Sequence, residues 1–198
     1  MLKARRLAWS LLYLSVLALS GCATLKQLAV LRTVSFAFAG VSDVRVAGVS
    51  IGEGASFSRL SVTDAARLGA AVVAKDVPLE MVAHVSAANP KENTVRAQMV
   101  GLDWTLFIED RRMLSGGLTR IVAIDPGNSE DVPLSVRLDL LSLGGGGARD
   151  LYDAALAVAG QGSLQKDLRL ELVPTIETPI GPMRFPAPVV VKRGAATH

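Results

Sequence analysis

Long runs of alternating apolar and polar residues constrain this chain more than any other feature. Leu79, Met81, Ala83, Val85 and Ala87 alternate with Glu80, Val82, His84 and Ser86. Leu102, Trp104, Leu106 and Ile108 alternate with Asp103, Thr105, Phe107 and Glu109, and Val132, Leu134, Val136, Leu138 and Leu140 with Pro133, Ser135, Arg137 and Asp139. Leu168, Leu170 and Leu172 repeat the pattern against Asp167, Arg169 and Glu171. A period of two puts one set of side chains on one face, so each run predicts a strand buried on one side. Val34, Phe36 and Phe38, then Val44, Val46 and Val49, predict earlier strands. Half of the residues are apolar but only 5% are aromatic, so Val, Leu, Ala and Ile must build the core.

The connections are legible too. Val95, Ala97 and Met99 have the opposite parity to Leu102 onward, which predicts a bulge at Val100-Gly101. Glu109-Asp110-Arg111-Arg112 reads as a charged hairpin turn, with Gly116-Gly117 interrupting the return strand. Two segments break the β rhythm. Ser61-Val62-Thr63-Asp64 has the form of a capping box and opens an Ala-rich helix to Ala74, which Pro78 lies beyond. Ala148–Ala159 carries Leu151, Ala155 and Val158 at helical spacing, with Gly144–Gly147 leading in and Gly160 as its stop. Five prolines between Pro174 and Pro188 suit an edge strand or strap. The sum is about eight strands with one or two short accessory helices, an antiparallel β-sandwich.

The N-terminus makes a separate prediction. Lys3, Arg5 and Arg6 precede the uncharged run Leu7–Leu19, which is too short to span a bilayer comfortably and matches a secretory leader. Leu19-Ser20-Gly21-Cys22 then resembles a bacterial lipobox, in which small residues admit the peptidase and the thiol takes diacylglycerol. Cys22 is the only cysteine in the chain, which rules out a disulfide scaffold and a cysteine-cluster metal site. The expected organisation is a leader over 1–21, lipidated Cys22 with a short tether to residue 33, one sandwich domain over 34–193 and a disordered tail over 194–198. The tether, Ala23–Arg32, reaches about 35 Å at full extension. Leu25, Leu28 and Leu31 fall on one side of it, either as a short helix with Lys26 and Arg32 at the headgroups or as an apolar lead-in.

Several acyl chains, palmitate among them, hold a lipoprotein firmly to a bilayer. Ala23 after the cysteine, where Asp would favour inner-membrane retention, implies the outer membrane and its periplasmic face in a Gram-negative source. Three of the 21 Lys and Arg belong to the leader, which leaves 18 against 18 Asp and Glu. Neutrality gives no argument for a nucleic-acid partner.

Chemistry-bearing residues are few. His84 falls on the polar face of its strand and reads as a solvated or capped surface residue; His198 ends the chain. With no other histidine, a Ser/His/Asp triad lacks its base and a zinc site lacks ligands. Gly144–Gly147 lacks the Lys-Ser/Thr of a P-loop. Asp125-Pro126-Gly127-Asn128 is a turn, and Glu109-Asp110 and Glu130-Asp131 are turn-flanking charges. The expectation is a protein that is not an enzyme, with no catalytic, metal or cofactor residues; a hydrolase would have to rest on His84.

Residues 77–141 resemble the LEA type 2 domain, also called WHy (water stress and hypersensitive response). The resemblance runs from Val77-Pro78-Leu79 through Val85-Ser86-Ala87-Ala88-Asn89-Pro90, the hairpin Leu102 to Ile124, and Val132-Pro133-Leu134-Ser135-Val136. Val173–Pro182 is similar to the closing segment of bacterial members. The Asn-Pro pair is its most specific element, although the family's second Asn is replaced by Lys91, with Asn93 two places on. The resemblance implies an immunoglobulin- or fibronectin-III-like sandwich with roles in desiccation and water stress. It also leaves an alternative, a lipid- or ligand-binding module of an envelope transport system with lipid or envelope proteins as partners.

Overall fold

A computed structural model describes residues 33–52, 54–143, 147–160, 166–177, 181–193 and 196–197. The leader, Cys22, the tether through Arg32, Gly144–Gly146 and His198 lie outside the described residues. The strands are β1 (Ser35–Val46), β2 (Val49–Ser50), β3 (Pro78–Ala88), β4 (Ala97–Ile108), β5 (Arg111–Leu118) and β6 (Val122–Ile124). They continue with β7 (Ser129–Asp139), β8 (Leu168–Ile176), β9 (Met183–Arg184), β10 (Val189–Lys192) and β11 (Ala196–Thr197). Two antiparallel sheets result, and they pack as a β-sandwich. One runs β11-β1-β3-β7, with β2 also on β1; the other runs β10-β8-β4-β5, with β6 on β4 and β9 on β8.

Parity decides the core. The inward sets read from the sequence are buried on β3 (Leu79, Met81, Ala83, Val85, Ala87), on β4 (Leu102, Trp104, Leu106, Ile108) and on β8 (Leu168, Leu170, Leu172). On β7, Val132, Leu134, Val136 and Leu138 are buried as expected, whereas Leu140 has left the strand for a 3₁₀ turn over Leu140–Leu143. The predicted bulge is present: the pairing of β4 with β8 slips between Met99 and Gly101.

The first strands differ from expectation. Val34–Phe38 and Val44–Val46 belong to a single strand, β1, which slips against β3 between Phe38 and Gly40 and again between Ser42 and Arg45. Each slip changes parity, so a continuous strand reads as two. Ala47 and Gly48, with φ of +47° and +77°, then turn the chain tightly into β2. The proline-rich tail supplies β9 and β10 along the outer edge of β8. Ala196–Thr197, in the tail expected to be disordered, pairs with Phe36 and Ala37.

Helix α1 (Val62–Ala74) starts as the capping box predicts, with the Asp64 N–H donating to Ser61 Oγ at 3.1 Å. Helix α2 (Ala148–Ala159) stops at Gly160, whose φ is +79°. Its buried residues Leu151, Tyr152, Ala155 and Val158 join the main core. Arg193 satisfies its last turn: Nη1 donates to the carbonyls of Ala157 (3.3 Å) and Lys166 (3.2 Å), and Nη2 to that of Val158. Both helices and the Glu109-Asp110 turn lie at one end of the sandwich. Thr33, the segment 89–96 and the turn 125–128 lie at the other, as the registers of β1, β3, β4 and β7 require.

Candidate functional site

Two constellations stand out, one at the end of the sandwich where β1 begins and one on the outer face of the first sheet. The first is built on Asn89, which follows β3 and is 1% exposed, the buried polar residue among the described ones. Its Nδ2 donates to the carbonyls of Ile124 (2.9 Å) and Val95 (3.2 Å), and its backbone N–H to that of Asn128 (2.9 Å). Gly127 N–H returns a bond to the Asn89 carbonyl at 2.8 Å. One amide therefore ties both connecting segments of that end to the strand that supplies it. Asn93 extends this network. Its Nδ2 donates to Asn89 Oδ1 and, at 2.8 Å, to Thr33 Oγ1, which joins the start of the domain to the corner.

The second constellation joins three adjacent strands. His84 on β3 has its Nδ1 2.7 Å from Asp131 Oδ2 on β7 and its Nε2 2.9 Å from Ser42 Oγ on β1. A carboxylate has no proton to give, so Nδ1–H donates to Asp131, while the Ser42 hydroxyl lies within hydrogen-bond reach of both Nε2 and, at 3.2 Å, the Asp43 carboxylate. The His84 side chain is 29% exposed and that of Asp131 53%, so the imidazole is sheltered but reachable. Ser42 lies between the two slips of β1, next to Asp43 at φ +52°. Beside it an open groove of about 330 Å³ runs over Asp43, Arg45, Glu80, Val82 and Arg137, with Arg137 paired to Glu80.

His84 is thus capped at both ring nitrogens, as its reading as a capped surface residue expected. Ser42 lies 42 residues before His84 and Asp131 47 after it, and only strand pairing brings them together. No local motif announces either partner. Parity supplied one true clue, that His84 faces outward from the core. Among the described residues no cluster of three His, Cys, Asp or Glu is placed to hold a metal ion. Cys22, the lipidation residue predicted from the sequence, lies outside the described residues.

No family model and no curated protein matches the chain. Solved structures to which it is similar include three with a TM-score of 0.35 each. A protein from Archaeoglobus fulgidus is 18% identical over 61% of this chain and 86% of its own. A protein from Arabidopsis thaliana is 15% identical over 60% of this chain and 69% of its own. A candidate late embryogenesis abundant (LEA) protein is 15% identical over 93% of this chain and 85% of its own. The fold assignment rests on the chain's own strand pairing.

Proposed function

We propose that this chain is a lipid-anchored protein of the bacterial envelope, held by acylated Cys22 at the periplasmic face of the outer membrane. Its LEA type 2-like sandwich then serves desiccation and water-stress tolerance or envelope maintenance. The observation that carries this reading is the single cysteine standing in the lipobox Leu19-Ser20-Gly21-Cys22 behind a basic, apolar leader. The Asn89-Pro90 corner supports the domain part, because Asn89, from the residue pair most specific to the resemblance, is also the buried hydrogen-bonding hub. An anchor at Cys22 would put the Thr33 end of the sandwich nearest the bilayer and the two helices farthest from it. The role requires a stable folded surface and no turnover of substrate.

Survival of a deletion strain after controlled drying tests it, with the strain complemented by wild type or by Cys22→Ser. Lost survival restored by wild type alone supports protection exerted at the membrane. Survival equal to the parent strain removes the stress role.

A further inference from the structure

We propose that Ser42 is an activated nucleophile, with His84 as its general base and Asp131 as the positioning residue, which accepts acyl groups from small carboxylic esters. The argument is independent of the anchor and of the stress role. It starts from connectivity: hydroxyl to Nε2 at 2.9 Å and Nδ1 to carboxylate at 2.7 Å is the bonding order that lets an imidazole remove a serine proton. Asp131 holds the ring in the tautomer whose Nε2 is a base and stabilises the imidazolium that forms. The two slips of β1 on either side of Ser42 add a second observation, since bulges re-aim a side chain out of the ladder. A left-handed, non-glycine Asp43 immediately after the serine is local strain of the kind that collects at functional positions. The Asp43 carboxylate, 3.2 Å from the same Oγ, is the competing acceptor. Finally, the adjoining groove begins at Asp43, one residue from Ser42, and Val82 is the apolar side chain of outward parity along it, which leaves room for a small acyl group.

The chemistry balances without a co-reactant other than water. Ser42 Oγ bonds to the ester carbonyl carbon while its proton passes to His84 Nε2. The bond to the alcohol oxygen breaks, and the alcohol leaves with that proton. Water then attacks the acyl-serine, gives a proton to Nε2, and releases the carboxylic acid as Ser42 recovers its hydrogen. An open groove contributes little binding, so the reactivity of Ser42 is better read with a covalent probe than from steady-state turnover.

The test is labelling of the full chain in detergent by a fluorophosphonate, which forms a Ser Oγ–P bond, expels fluoride and sends the proton through His84 to solvent. The adduct is mapped by tandem mass spectrometry. The expected result is an adduct on Ser42 whose rate of formation falls about 100-fold in His84→Ala, with an unchanged melting curve. Should His84→Ala lose its cooperative melt, His84→Gln fills the same place and is labelled instead. Asp131→Asn should slow labelling and Asp131→Glu restore it, which a merely structural carboxylate would not do. Absence of an adduct at Ser42 in folded protein, or an adduct that forms equally fast without His84, overturns the proposal.

Discussion

Asn89 shows what one side chain does when nothing else polar can replace it. Replacing it with Ala strips the Val95 and Ile124 carbonyls of their donor at a buried site, and unsatisfied buried acceptors cost about 1–3 kcal/mol. Asn89→Ala is therefore expected to lower the unfolding free energy, measured by urea titration, by that amount. Asn89→Asp sets a carboxylate against the same two oxygens, so its melting temperature should be lowest at neutral pH and partly recover as acid protonates it. Asp125, at the same end, is exposed and paired with Arg96 at 2.6 Å. The hydrogen bond from Arg96, aided by its charge, holds the Asp125 carboxyl below its usual range. A depressed carboxyl stabilises the fold above its unfolded-state value of about 4, and that contribution is lost as pH falls through the folded value. Arg96→Gln should lower stability slightly at neutral pH, leave it unchanged below the folded value, and so flatten the acid limb of a stability–pH profile.

At the scale of elements, the β4–β5 hairpin carries two separable effects. Gly116 sits opposite Trp104, and a Cβ there would come within 2.7 Å of the indole Cε2. The glycine that reads as an interruption of the strand is thus the seat of an aromatic ring. Gly116→Ala must move a buried indole, which should cost about 1–3 kcal/mol and shift Trp104 emission to the red. The turn itself is Glu109-Asp110, both left-handed at φ +50° and +60°. Asn-Gly is the pair such a turn prefers, so Glu109→Asn with Asp110→Gly should raise stability by about 1 kcal/mol in thermal melts. The variant loses Glu109–Lys166 (2.8 Å) and Asp110–Arg169 (3.5 Å), but both carboxylates are more than half exposed and such pairs stabilise little. The backbone effect wins.

For the molecule as a whole, the question raised by the lipid-binding alternative is whether the sheets leave room between them. At the Asn89 end, Val34, Phe36, Ala87, Ala97, Met99, Val122 and Ile124 line an apolar void of about 10 Å³, the size of a water and not of an acyl chain. A chain bound at that end would have to separate the sheets and give up their shared core. The melting temperature of the full protein is accordingly expected to stay constant on addition of palmitate. A rise with palmitate concentration would show that the sheets part and hold it.

Much of the architecture was legible because one-sided burial writes a period of two into each strand. Leu79–Ala87 and Leu168–Leu172 needed no more than that. Local chemistry sufficed likewise for the Ser61 cap, the Gly160 stop and the slip at Gly101, each settled by the backbone within a few residues. Residue pattern alone settled a two-sheet sandwich, its helix ends and the outward face of His84. It could not join Val34–Phe38 to Val44–Val46, because two bulges reset the parity on which the reading depends. Nor could it bring Ser42 and Asp131 to His84, or the Ile124 carbonyl to the Asn89 amide. Those contacts belong to cross-strand register, which is set by how two faces pack and not by any neighbourhood along the chain. The fold class was therefore local information summed, whereas both candidate sites were tertiary decisions.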